Sequence, residues 1–311
     1  MCEERFGVSV GWVAGSARAR LLLGRRVGRA GALRLAALPL QEALAELAAT
    51  SYGRQELGAD FRSAQRAVAA TTLLELRVLA GWLPPGAVGL MRSLAAWFEL
   101  ANIEDRLAYL LGAEAGHPFD LGSLVTAWPA LAAAQSPGEL RAALAGSAWG
   151  DPRSEDPHDL HLTLRVSWAR RVAAEVPEAR RWVAGALGIL LARERLLVEG
   201  EPASGLVAGL GLGSAWMRAA TVPSLAASLP HKAAWALERI SEPDELWRAE
   251  ASWWARVEAD AEEMVRGHRE GRRAVIGAAA LLAADARRVS AALGAAARAP
   301  GAAEEVLGEI A

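Results

Sequence analysis

Apolar residues spaced three and four apart recur in long runs along this chain of 311 residues, a period that only helices satisfy. Over residues 59–81, Phe61, Ala64, Val68, Thr72, Leu76 and Leu79 mark one face, and Gly81 with Pro84-Pro85-Gly86 ends the run. Over residues 88–111, Leu90, Leu94, Trp97, Ala101, Ala108 and Leu111 repeat the pattern. The connector is so short that the two segments are expected to pair as an antiparallel hairpin. Further helices are expected over about residues 160–175, 178–199, 244–269 and 274–298, the third of these striped by Trp247, Ala251, Trp254, Val257 and Ala261. Helices of about 22–26 residues are roughly 33–39 Å long, so the body is expected to be elongated. About 70 Ala against about 30 Val, Ile and Thr together favour helix over strand. The expected class is all-α, which excludes a Rossmann domain or a TIM barrel.

Charge narrows the partners. The net charge of −2 gives no global attraction to nucleic acid. Seven Arg and no acid lie between Arg5 and Gln41, whereas nine acids face Arg239, Arg248 and Arg256 between Glu238 and Glu263. These segments read either as solvated helix faces or as a polarised body whose ends meet partners of different charge. The single Cys2 rules out a disulfide framework and fits a reducing compartment. Residues 1–6 carry two acids and no apolar run, so no signal peptide is expected. The longest apolar stretches, 202–217 and 274–284, fall short of a bilayer span.

A second periodicity lies above the helical one. Leu47-Ala48-Ala49-Thr50-Ser51-Tyr52-Gly53 and Leu144-Ala145-Gly146-Ser147-Ala148-Trp149-Gly150 share the form Leu-Ala-x-[Ser/Thr]-x-aromatic-Gly, about 97 residues apart. Each follows a Pro (Pro39, Pro137) and an acid (Glu42, Glu139), the pattern of a short helix with Pro in its first turn and Gly behind its end. A weaker third copy runs from Pro223 to Leu229. Three pseudo-repeats of elongated helical hairpins follow, over 1–120, 121–215 and 216–311, as parts of one contiguous body. Ala-rich helices also resemble one another through composition alone. Tyr52 and Trp149 are expected to be core anchors.

Signatures of chemistry are few. Gly209-Leu210-Gly211-Leu212-Gly213-Ser214 is preceded by no strand, so it reads as a linker and not as a dinucleotide loop. No phosphate-binding loop, nucleophile elbow, zinc-protease pair or Asp-rich magnesium motif occurs. His158 and His161, with Asp151, Asp156 and Asp159 nearby, could hold zinc, but a solvated helix start explains them equally. No catalytic residue, cofactor or metal is expected.

Gly11-Trp12-Val13-Ala14-Gly15-Ser16-Ala17-Arg18-Ala19-Arg20-Leu21-Leu22 is similar to the Tyr-x-Asn-Ala-Arg-x-Arg-x-x-x-x-Leu-Leu opening of one family of V/A-type rotary ATPase components, the C-type (or d-type) rotor adaptors. Leu44-x-x-Leu47-Ala48-x-Thr50-x-Tyr52-Gly53 resembles that family's Leu-x-x-Leu-x-x-Thr-x-Tyr-Gly. The run from Trp97 to Leu107, with Glu99, Asn102 and Arg106, is similar to its long-helix motif Asp-[Val/Ile]-x-Asn-[Leu/Ile]-Lys. Val275-Ile276-Gly277, followed by Asp285, Arg287 and Arg288, resembles its last helix. The opening Tyr and Asn are absent, and Glu99 stands where the family has Asp, so the resemblance is to a divergent bacterial member.

The resemblance implies a funnel-shaped, pseudo-threefold protein on the cytoplasmic face of the membrane. It would join the central-stalk subunits to the membrane rotor ring and carry torque for proton or sodium transport, with no catalysis of its own. The motif positions it implies are Arg18, Arg20, Thr50, Tyr52, Gly53, Glu99, Asn102, Arg106 and Asp285, to which the internal repeat adds Trp149 and Gly150. Asn102 would hydrogen-bond to a neighbouring helix end, and Glu99 and Asn102 would have counterparts near 192–195 and 285–288. Residues 205–214 are a candidate ring contact by composition. The alternative is a stand-alone helical repeat scaffold or regulator that binds another protein.

Overall fold

The computed structural model describes residues 2–114, 116–198, 214–267 and 270–298, and every regular element among them is helical. In chain order these are α1 (Cys2–Leu23), α2 (Gly28–Ala36), α3 (Leu40–Ala48), α4 (Phe61–Ala80), α5 (Val88–Leu110), α6 (Trp128–Ala132) and α7 (Pro137–Ala145). There follow α8 (Pro157–Glu175), α9 (Arg180–Leu197), α10 (Ser214–Arg218), α11 (Val222–Ser228), α12 (His231–Ala234), α13 (Leu246–Arg266) and α14 (Arg272–Ala296). Several starts are written in the sequence. The Asp60 carboxylate accepts from Ser63 N at α4, the Ser136 hydroxyl from Glu139 N at α7, and the Asp156 carboxylate from His158 N at α8. Among the described residues no helix is long and apolar enough to cross a membrane.

Two units divide the chain. The first takes residues 1–88 and 254–311, the second residues 89–253. In the first unit α14 is the central helix, packed by α1, α2, α3 and α4. Val289, Ala292 and Leu293 of α14 share a core with Leu35, Leu44, Leu47, Tyr52 and Val68. Small residues set the spacing. A Cβ on Gly277 would sit 2.6 Å from the Ala261 carbonyl oxygen, so α13 and α14 touch backbone to backbone there. A Cβ on Gly11 would lie 2.9 Å from Pro84 N, and one on Gly15 2.5 Å from Leu83 Cδ2. These glycines let α1 lie directly on the segment after α4.

The second unit holds two cores. One joins Leu100, Ile103 and Leu107 of α5 to Leu131, Leu140, Leu144, Trp149, Leu160 and Leu164. The other joins Ile189 and Ala192 of α9 to Trp216, Val222, Leu225, Leu237 and Leu246. Gly188 again marks a close approach, its missing Cβ 2.7 Å from the Ala233 carbonyl oxygen.

The structure departs from the sequence reading in three places. Helix α1 carries no regular apolar stripe, so periodicity does not announce it. The helices expected over 178–199, 244–269 and 274–298 end earlier, at Leu197, Arg266 and Ala296. Helix α4 packs on α14 and α1, a partnership no local signal announced, while residues from Gly89 onward belong to the second unit. Residues 205–213, within the candidate ring contact, lie outside the described residues, as does the Cys2 side chain.

Candidate functional site: two buried carboxylates

The Leu-Ala-x-[Ser/Thr]-x-aromatic-Gly motif folds alike at its two clear copies. After α3, the Thr50 hydroxyl donates to the Leu47 carbonyl at 2.7 Å and accepts from Tyr52 N at 3.2 Å. After α7, the Ser147 hydroxyl donates to the Leu144 carbonyl at 2.8 Å and accepts from Trp149 N at 3.1 Å. The hydroxyl occupies the backbone groups that a helix leaves open at its end and turns the aromatic inward. Gly follows for a different reason in each copy. At Gly53 a Cβ would fall 1.9 Å from the Ala48 carbonyl oxygen, whereas Gly150 has φ +80°.

Each aromatic then meets a buried acid. Tyr52, 3% exposed, donates its hydroxyl to Asp285 Oδ2 at 3.0 Å. Trp149, also 3% exposed, donates its indole N–H to Glu99 Oε2 at 3.0 Å. Both acids are closed off from solvent, Asp285 at 1% and Glu99 at 0%. Both also accept backbone N–H groups from the start of a short helix. Asp285 takes Gly28 N at 2.7 Å and Val27 N at 3.1 Å, at the head of α2. Glu99 Oε1 takes Thr126 N, Ala127 N and Trp128 N at 2.9, 2.7 and 2.8 Å, at the head of α6. A carboxylate at this position satisfies donors that the helix cannot pair and meets the positive end of its dipole. Burial first, and then the Asp285 charge and hydrogen bond, push the Tyr52 phenol far above its ordinary range. It therefore stays a donor.

The remaining motif residues have separate places. Asn102, fully buried, brackets Phe119 by accepting from its N–H at 2.7 Å and donating to its carbonyl at 3.0 Å. Its partner is thus a segment without regular structure and not a helix end. Arg106 donates to the Ala134 carbonyl and lies over the Tyr109 ring at 5.0 Å. Arg20 makes a loose, half-exposed ion pair with Glu270 at 3.7 Å. Arg18 has its Nε buried without a hydrogen-bond partner among the described residues.

The weaker third copy keeps part of the pattern. The Ser228 hydroxyl donates to the Leu225 carbonyl at 2.7 Å, as Thr50 and Ser147 do to theirs. Two residues on stands Pro230, which has no N–H to return the bond and no aromatic ring. The buried acid of α9, Glu194, is paired with His158 Nε2 at 2.9 Å.

The histidines do not converge. His161 Nδ1 sits 2.6 Å from Glu104, which also pairs with Arg165. Burial raises the Glu104 carboxyl, but hydrogen bonds from His161 and Arg165 and the Arg165 charge outweigh it and hold the group below its usual range. Among the described residues no three His, Cys, Asp or Glu side chains are placed to hold a metal. Five of the acids between Glu238 and Glu263 are taken by Arg: Glu245 by Arg248, Glu250 by Arg193, Glu258 by Arg288, Asp260 by Arg256 and Glu262 by Arg266. An open groove of about 420 Å³ runs between α4 and α14, lined by Phe61, Gln65, Arg287, Ser290, Ala291, Gly294 and Arg298. Its lining carries no carboxylate or imidazole.

Sequence reasoning passed over Glu75 of α4, only 4% exposed and near both Tyr52 and Asp285. The signal was present, because Glu75 falls one turn after Thr71 and one turn before Leu79, on the buried face. Compared with known proteins, the chain matches no family model and no curated protein sequence.

Proposed function

We propose that this chain is a non-catalytic rotor adaptor of the C-type found in V/A-type ATPases. In this reading it links the central-stalk subunits to the membrane rotor ring, peripheral to the membrane on the cytoplasmic side, and transmits torque for proton or sodium transport. The observation that carries the reading is the repeated lock. In two places a buried acid on a long helix holds the head of one short helix and the aromatic that closes the next. Glu99, Tyr52 and Asp285 fall on positions that resemble the family's motifs, while Trp149 belongs to the internal repeat.

Such a lock suits a mechanical part. Fixed hydrogen bonds between long helices and the short helices leaning on them resist shear, and dense helix packing resists compression. Both carboxylates are fully engaged and shut away from solvent, so they serve as braces. A stand-alone scaffold would use the same braces, and isolation of the native complex separates the two readings. The chain, tagged at its own locus, is purified from membranes in mild detergent. Stalk and ring subunits in stoichiometric amounts are expected beside it. A chain that elutes without either contradicts the adaptor reading.

A further inference from the structure

In the first unit, helix α1 is apolar on two opposite sides. The inner side is settled. Ala19 and Leu22 are buried, Gly11 and Gly15 lie against Pro84 and Leu83, and the Ser16 hydroxyl accepts from Gly271 N at 2.8 Å. The outer side faces solvent. Val10 is 52% exposed, Val13 43% and Leu21 60%, and Ala17 among them is exposed too. These four residues fall three, four and four apart, so they share one side of the helix over about three turns. With apolar residues on both sides, neither side stands out as a stripe. A single exposed Val or Leu is ordinary, but a continuous apolar helix face in water marks a place where another surface sits. Charge narrows what that surface is. Arg20 stands exposed on the same side, and its loose pair with Glu270 at 3.7 Å is screened by solvent. Arg25 in the turn after α1 and Arg29 in the first turn of α2 are exposed as well.

We propose that the outer side of α1 docks an amphipathic helix of a partner protein, with apolar residues set against Val10, Val13, Ala17 and Leu21 and acids set against Arg20, Arg25 and Arg29. Burial of the apolar row supplies the attraction, and the arginines select the partner's charge and direction. A second copy of this chain would bring the same arginines, and residues 5–41 hold no acid to answer them. Helices that lie on lipid hold on through Trp, Phe and Leu, and of these the four residues include Leu21 alone. The inference does not rest on the adaptor reading, since a scaffold that binds another protein would use such a face equally.

The test pairs the full chain with synthetic helical peptides that carry Leu along one side and either Glu or Lys on the flanks, followed by fluorescence anisotropy. The Glu peptide is expected to bind saturably and to weaken as salt is raised, and the Lys peptide to bind at least about tenfold more weakly. Val13→Asp and Leu21→Asp, which leave the inner side of α1 untouched, are each expected to weaken the Glu peptide by at least about tenfold, with helix content and melting unchanged by circular dichroism. Should either variant unfold, Arg20→Gln with Arg25→Gln carries the test, with an expected loss of affinity and of salt dependence. Equal binding of the two peptides, or full binding by the folded Asp variants, would overturn the proposal. So would a dimer of the chain alone that Val13→Asp dissolves, which assigns the face to a second copy. Binding to phosphatidylglycerol vesicles that Val13→Asp abolishes assigns it to lipid and overturns the proposal equally.

Discussion

Glu99 accepts three backbone N–H groups on one oxygen and an indole N–H on the other, so removing it strands four donors at once. Leaving buried donors unpaired costs more than the bonds themselves contribute. Glu99→Ala is therefore expected to lose about 3–5 kcal/mol, read as a lower urea midpoint at unchanged slope. Tyr52→Phe removes one donor of three from Asp285 and keeps the ring, with an expected loss of about 1–3 kcal/mol. Equal losses for the two variants would show that the carboxylates do not carry the locks. Glu75 adds a pH dependence of known sign. Its carboxyl is raised in the folded chain from 4.5 to about 7, chiefly by burial. A raised acid stabilises the fold most below its unfolded value, so this contribution is present below about pH 4.5 and is lost as pH rises through about 7. Glu75→Gln is expected to flatten that window in a stability–pH series, and an unchanged slope would assign it to other groups.

At the scale of elements, helices meet where side chains vanish. Gly277→Val would drive a Cβ to 2.6 Å from the Ala261 carbonyl oxygen and force α13 and α14 apart, with an expected loss of about 1–3 kcal/mol. Gly24→Val, whose nearest contacts are its own helix-end carbonyls at 3.6 and 3.7 Å, is expected to cost far less. Such contacts also decide what could be read in advance. The periodic stripes of α4, α5 and α13 announced those helices, because burial of one face leaves a mark every three or four residues. The first helix left none, since Gly11 and Gly15 pack through backbone and not through large side chains. The motif ends at Tyr52 and Trp149 were legible as buried anchors. Their acids were legible only as motif positions, because 233 residues separate Tyr52 from Asp285 and 50 separate Trp149 from Glu99. The packing of α4 on α14 was hidden for the same reason. The paired state of His158 and His161 was likewise out of reach, since Glu194 and Glu104 come from other helices.

For the whole molecule, the two buried locks make sense if the chain bears load. Its long helices α5 and α14 are held by buried acids, five acids of its acidic stretch are paired with Arg, and its open groove is lined without acid or imidazole. An adaptor must keep its shape while partners push on both sides, so a weakened lock is expected to lower coupling before it lowers assembly. Glu99→Ala is accordingly expected to co-purify with stalk and ring subunits at reduced yield while supporting less ATP-driven ion transport. Full transport by that variant would show that the lock does not serve torque. The most direct measurement of the central claim uses inverted membrane vesicles from a strain lacking this chain. ATP hydrolysis is expected to continue while ATP-driven ion gradients disappear, and purified chain added back is expected to restore them. Gradients that persist undiminished without the chain contradict the adaptor account.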